Sequence, residues 1–340
     1  MSITIKKIAE LAGVHRSTVD KVLHQREGVS KPVREKIQAI IDEYEYKPNP
    51  IGKALKMQDR KLVISVILLK VDALDYLLEG IKAALNNYPG FDIETTYQVI
   101  DYPDVDCQYK TMKRALEQKV DGMILSPINS PKISEMIDLC EGENIPVVTI
   151  NSDVKGSNRM CFIGQDGSRA SRVAARLMGE MVQGKVAVYT SEGDEKRSFS
   201  FDAREEGFRD KINREFPDIQ LLPSIRTNED PKLVESETHR LLKEHGDLRG
   251  IYITGGAVSS VGNILKELGR TDIKVICFEE YSEIFELMKD GIIDITIGSG
   301  LNDQGQQSIH VLMDYLVYGK KTEKKHLYTE IKVLVKEHID

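Results

Sequence analysis

The sequence predicts an α/β chain in two parts: an N-terminal three-helix helix-turn-helix module, and a larger two-lobed body of doubly wound parallel sheets. Three observations carry this. Residues 5–23, IKKIAELAGVHRSTVDKVL, repeat apolar side chains at helical spacing on both sides of a glycine. From Lys61 onward, runs rich in β-branched residues alternate with amphipathic stretches. That alternation comes as two successive series, which implies βαβ units in two lobes with a cleft between their strand ends.

In the first helix Ile5, Ile8, Ala9 and Ala12 fall on one face. Gly13 suits the positive φ that ends a helix and turns the chain. A second helix buries Val19, Val22 and Leu23, leaving Arg16, Ser17, Thr18, Asp20 and Lys21 facing outward. The layout fits a DNA-reading helix-turn-helix; it also fits a plain amphipathic helical hairpin. A third helix starts near Ser30, a candidate N-cap with Pro32 in its first turn. It continues through Ile37, Ile40, Ile41 and Tyr44 until Pro48 and Pro50 stop it. Residues 47–60 form a linker in which Ile51–Met57 can make a turn or two of helix, weakened by Gly52.

The body opens with Leu62–Leu69, LVISVILL, a buried strand. Helix Leu74–Leu85 follows, then Asp92–Val99, Gln108–Gln118, Gly122–Leu125, Lys132–Cys140 and Pro146–Ile150 in alternation. The second series starts after Gly164. Its helices are Ser168–Met181, Asp202–Arg214, Lys232–Glu244, Ser259–Leu268 and Ser282–Lys289. Its strands are Lys185–Tyr189, Ile219–Leu222, Gly250–Thr254 and Lys274–Phe278. Ile295–Ile297, Gln304–Leu316 and Tyr328–Val335 return the chain across both halves.

Composition narrows the function. A chain of 340 residues, 41% hydrophobic and 30% charged, suits a globular protein of more than one domain. The net charge of −7 is uneven: residues 1–60 carry +4 and the remainder −11. The basic end can approach phosphates while the acidic body stays clear of them. An excess of +4 is modest, so two copies are needed for firm binding. No apolar stretch approaches a membrane span and the start is polar, so the chain is expected in the cytoplasm. Cys107, Cys140, Cys161 and Cys277 lack CxxC spacing, and the seven histidines lack metal-ligand spacing. Gly179–Val186, GEMVQGKV, imitates a phosphate loop, but Val186 replaces the Ser/Thr and the motif leaves a helix for a strand. With no G-x-S-x-G, HExxH or GxGxxG either, no catalytic residue, metal or cofactor is expected.

The run TIKKIAELAGVHRSTVDKVLHQREGVSKPVREKIQAIIDEYEYKPNPIGKALK resembles the N-terminal domain of the lactose-repressor (LacI/GalR) family of bacterial transcription regulators. Residues 61–320 resemble the periplasmic-binding-protein-like effector domain of that family. The markers, in order, are Val120–Pro127, Ile145–Val148, Phe162–Asp166, Arg204–Phe208, Val275–Glu279 and Thr296–Ser299. The resemblance implies a DNA-binding domain over 1–46, a hinge over 47–60 and an effector and dimerisation domain over 61–340. Within the last, it implies an N-lobe of about 61–160 and 292–322, and a C-lobe of about 161–291 and 323–340.

The resemblance also implies site residues. Arg16, Ser17 and Lys21 match base-contacting positions, and Thr4, Thr18 and His24 join them on the DNA face. Leu55 matches a leucine that wedges between base steps in the minor groove, flanked by Lys53 and Lys56; it could instead pack against the body. Asp20 could accept from a cytosine or pair with Arg16. His15 stands where the family usually has a Ser or Thr cap. Arg204 matches the cleft arginine, whose plainer role is a surface ion pair. Asn151, Asp153, Ser126 and Glu279 occupy pocket positions at strand ends, and Asp72 lies in the first loop. Ser299 replaces a usual glutamine and Gly255-Gly256 a usual Asn-Asp, departures expected to open space for a larger or differently charged ligand. The partners implied are a pseudo-palindromic operator in double-stranded DNA, a second copy of the chain and a carbohydrate-like effector. Rival readings are a small-molecule-binding protein with a helical appendage and an α/β enzyme.

Overall fold

A computed structural model describes residues 3–23, 27–44, 46, 55, 57–154, 156–190, 199–227 and 230–339. The chain divides into two compact units, Met1–Leu55 and Lys56–Asp340. The break falls inside the expected linker.

The first unit contains α1 (Ile5–Ala12), α2 (Arg16–Leu23) and α3 (Lys31–Glu43). The Thr4 hydroxyl accepts from the Lys7 N–H at 3.3 Å and caps α1. Gly13, at φ +71, closes its other end in the left-handed region. The apolar faces read from the spacing converge: Ile8, Ala9, Ala12, Val19, Val22 and Ile37 form one buried core. Lys36 on α3 donates to the Ala12 carbonyl at 2.9 Å, tying α3 to the end of α1. Ser30 precedes α3, but its hydroxyl makes no cap bond.

The second unit holds two sheets. The strands are β1 (Leu62–Leu69), β2 (Ile93–Ile100), β3 (Gly122–Leu125), β4 (Val147–Ile150), β5 (Cys161–Gly164), β6 (Gly184–Thr190), β7 (Ile219–Leu221), β8 (Ile225–Arg226), β9 (Leu248–Ile253), β10 (Lys274–Phe278), β11 (Ile295–Gly298), β12 (His326–Tyr328) and β13 (Lys332–Leu334). The first sheet runs β12-β5-β4-β3-β1-β2, every pair parallel. The second runs β13-β11-β10-β9-β6-β7, with β8 beside β6 and β13 antiparallel. The connecting helices are α4 (Leu74–Leu85), α5 (Val105–Glu117), α6 (Pro131–Gly142), α7 (Gly167–Met181), α8 (Phe199–Glu215), α9 (Pro231–Glu244), α10 (Val258–Glu267), α11 (Ser282–Lys289) and α12 (Leu301–Tyr318). Strands covered on both faces explain why they read as near-continuous apolar runs. In the second sheet, one face packs on Val234, Val261, Leu265 and Ile284 and the other on Ala174, Met178, Phe208 and Ile212.

Helices α4 and α12 approach closely because two glycines let them. A Cβ on Gly80 would stand 2.1 Å from the Asn302 carbonyl, and one on Gly305 2.3 Å from the Leu77 carbonyl. No helix among the described residues is long and apolar enough to cross a membrane.

The lobe boundaries differ from those expected. β5 and β12 belong to the first sheet and β11 to the second. The chain finishes a strand before it crosses, so the three crossings fall at 165–166, 299–300 and 329–331. The stretch 328–335, read as one return segment, is split between β12 in one sheet and β13 in the other. β5 was not anticipated as a strand.

Candidate functional site: an exposed helix and an interlobe cleft

In the first unit Arg16, Ser17 and Lys21 are exposed on α2, and Thr18 is half-buried. The His15 ring takes over the work of the expected Ser/Thr cap. Its Nδ1 accepts from the Ser17 N–H at 3.4 Å and lies 2.9 Å from the Ser17 hydroxyl. A Cβ on Gly28 would stand 3.3 Å from Lys21 Nζ, so this amine lies against the turn after α2. Thr4 spends its hydroxyl on capping α1. Leu55 is exposed. His24, Lys53 and Lys56 lie outside the described residues.

In the second unit a cavity of about 410 Å³ opens at the carboxyl ends of β1, β3, β4, β9 and β10. Open α/β sheets leave a crevice at this end, where the strand order reverses. Asp72, Asn151, Asp153, Arg204, Gly255 and Glu279 all border it. Ser126 and Ser299 do not: both are buried, Ser126 3.3 Å from the Ser152 hydroxyl and Ser299 donating its hydroxyl to Glu279. Each sits at a strand end with its side chain behind the wall, where a one-residue offset sends it.

Arg204, on α8, is the centre of the second-lobe wall. Its Nη1 donates to the Thr254 carbonyl at 2.8 Å, and its Nη2 to Glu279 at 2.9 Å and to the Gln165 amide oxygen at 3.2 Å. The guanidinium lies 3.8 Å from the centre of the Phe278 ring. Arg204 and Glu279 side chains are 7% and 12% exposed, so this is an enclosed ion pair and not a surface one. Tyr252, stacked on Phe208 with centroids 3.9 Å apart, donates its hydroxyl to the Arg204 carbonyl at 3.3 Å. Glu279 itself adopts φ +84, a strained conformation for a residue with a side chain.

Asp153 borders the cavity, but Arg159 and the Thr149 hydroxyl engage its carboxylate. Burial pushes its pKa above the usual aspartate range, against the pull of Arg159. Tyr281 is held protonated by burial, reinforced by the Glu279 and Asp72 carboxylates. Its ring meets that of Tyr76 from the other lobe, centroids 5.4 Å apart. Gly255 does not open space as expected. A Cβ there would lie 2.3 Å from the Phe201 ring, so the ring fills what a larger residue would occupy.

The wall connects to the crossings between the lobes. Gln165 accepts from Arg204 and donates to the Gly298 carbonyl at 2.9 Å. Thr329 donates its hydroxyl to the Ser299 carbonyl at 2.7 Å and its N–H to Gly164. Gln304 accepts from the Asn151 N–H at 2.9 Å and donates to Ser299 at 3.0 Å. Sequence reasoning missed Gln165, Phe201, Ser152 and Ser259. For Phe201 the signal was the glycine pair itself, which marks a close approach. No group of three or more His, Cys, Asp or Glu able to hold a metal occurs among the described residues.

Comparisons with known proteins follow this division. The family described as "Periplasmic binding protein domain" matches residues 72–321, and "Bacterial regulatory proteins, lacI family" matches residues 4–49. The HTH-type transcriptional regulator TreR of Salmonella typhimurium is 38% identical over 72 residues, 21% of this chain and 22% of that protein. The chain thus matches about a fifth of the length of this relative. The HTH-type transcriptional regulator IdnR of Escherichia coli is 26% identical over 265 residues, 76% of this chain and 74% of that protein. Among solved structures, one described as a putative LacI transcriptional regulator from Bacteroides fragilis superposes with a TM-score of 0.74 at 22% identity. It covers 82% of this chain and 99% of its own. At that identity the likeness shows the fold alone.

Proposed function

The chain belongs to the lacI family of bacterial regulatory proteins and carries that family's periplasmic-binding-protein domain, and from this premise we propose a cytoplasmic, ligand-controlled transcription regulator. The observation that carries the reading is the pairing, in one chain, of an exposed, polar second helix with an enclosed cleft whose polar residues are bonded to the lobe crossings. Two copies would each place α2 in a major groove, and their two-fold symmetry calls for a pseudo-palindromic operator. Arg16 and Lys21 would give hydrogen bonds to guanine O6 and N7. Exposed Leu55 would wedge at the minor groove.

The cleft would take a small carbohydrate or derivative. A ligand bridging Asn151 and Asp72 on one wall to Arg204 on the other favours closure. Arg204 reaches Gly298 through Gln165 and Ser299 through Glu279, so closure would repack the crossings. Coupling of this kind is typically about 1–3 kcal/mol between two sites. The cleft's carboxylates at 153 and 279 are engaged by arginines.

The test is selection of bound duplexes from random DNA by the full-length protein at moderate salt. Recovery of an inverted repeat, lost on deletion of residues 1–60, is the expected result. Equal affinity for random and selected duplexes, with and without sugars, would reject the reading.

A further inference from the structure

The second-lobe wall holds donors that a neutral sugar leaves without a full match. β9 ends at Ile253, and Thr254–Ala257 lead into α10. Gly256 (φ +56) and Ala257 (φ +47) are both left-handed. Successive N–H groups in such a turn face one concavity and favour an anion. No side chain caps α10, and its first turn holds no acidic residue. Among the described residues no acceptor takes the N–H of Ser259 or Ser260. Gly255 through Ser260 border the cavity without a break.

An independent observation points the same way. Arg204 borders the same cavity and is 6% exposed, and its Nε is buried without a partner. Its Nη1 bonds the carbonyl of Thr254, the residue before this loop, so the guanidinium lies beside the loop's start. A buried donor on a cation is costly to leave unmade, and helix-start N–H groups select negative charge. Three carboxylates border the same cavity, two of them committed to arginines. Glu279 is held by Arg204 and Ser299, Asp153 by Arg159, and Asp72 is solvent-exposed.

We propose that the effector carries an anionic group, a carboxylate or phosphate on a carbohydrate, seated on the Gly255–Ser260 turn beside Arg204. The proposal rests on the regulator reading of the cleft and narrows it. The turn offers the main-chain N–H groups of Ser259 and Ser260 and their two hydroxyls at the cavity wall, donors that suit an anion.

The experiment is a thermal-shift series on the full-length protein at matched ionic strength. The probes are D-glucose, D-galactose and D-xylose, their aldonic and uronic acids, and their phosphates. At least one acidic member should raise Tm by on the order of 5 °C near saturation, with its neutral parent doing far less. The carboxylate and phosphate arms separate the two sources of the charge. Ser259→Asp puts a carboxylate on the turn itself; it should raise Tm without ligand and weaken the acidic probe at least tenfold, while Ser259→Asn should leave most of the binding. A shift from a neutral sugar and from none of its acids, no shift from any member, or an acid response intact in Ser259→Asp would each overturn the proposal. Duplex selection run in parallel tells the failures apart: an inverted repeat without an anion response rejects the subsite and leaves the regulator standing.

Discussion

The residues proposed to read bases in the major groove stand within six positions on one exposed helix, Arg16 to Lys21, whereas the cleft gathers its polar wall from loops and one helix spread between Asp72 and Glu279. In the first unit the buried residues hold the fold and the exposed ones are left over for contact. Ile8, Val19 and Ile37 form the core, and Arg16, Ser17 and Lys21 carry almost none of it. In the cleft the two roles fall on the same side chains. Arg204 faces the cavity, yet it also bonds Thr254, Gln165 and Glu279 and covers Phe278. A surface site can therefore change its contacts without cost to the fold, while a cleft site cannot.

The largest effect should come where that overlap is greatest. Arg204→Met leaves Glu279 enclosed with only the Ser299 hydroxyl, and breaking a buried pair in this way costs about 3–5 kcal/mol. Urea unfolding of the second unit should show it, and Arg204→Met with Glu279→Gln should recover much of the loss. An unchanged midpoint in the single variant would mean that the pair is not structural. Next, Ile37→Ala should remove about 2–5 kcal/mol from the first unit. At about 0.05–0.15 kcal/mol per residue, some 50 residues hold only a few kcal/mol in total. Loss of helix signal and of DNA binding should coincide, with ligand-induced Tm shifts of the second unit retained.

What could be read in advance follows the same division. Local periodicity gave the helices of the first unit and most strands of the second, because Ile8 and Ile37 or the LVISVILL run announce burial by spacing alone. Sheet membership is a long-range property, so β5, β11 and β12 fell on the wrong side of the lobe boundary. β8 has two residues and no period to detect. In the cleft, Arg204 and Glu279 stood in recognisable motifs, but which way Ser126 and Ser299 point depends on register. That Phe201 would fill the space over Gly255 depends on a helix 54 positions earlier meeting a strand end. No spacing rule reaches that far.

Lys21→Ala tests the exposed half of the comparison. The side chain is exposed and outside the core, so the first unit should keep its unfolding midpoint. Affinity for the selected inverted repeat should fall by about 1–3 kcal/mol per half-site, with relaxed preference at one base pair. A uniform loss across all duplexes would make Lys21 a phosphate contact instead.

The smallest effect concerns a charge that belongs to neither site. Glu141 closes α6 and accepts from the Val147 N–H at 2.9 Å, which anchors the start of β4. Burial holds its carboxyl above the usual glutamate range, with that hydrogen bond and nearby Lys325 and Lys321 pulling the other way. A carboxyl whose pKa is higher in the folded state binds its proton more tightly there. Stability from this group is therefore full below the unfolded pKa and is lost as pH rises through the folded one. Glu141→Gln keeps an oxygen for Val147 and carries no charge. It should stabilise the second unit at pH 7, leave it nearly unchanged at pH 4, and flatten the slope between them in denaturant titrations. Equal effects at both pH values would assign the residue's role to the hydrogen bond alone and remove burial as the cause.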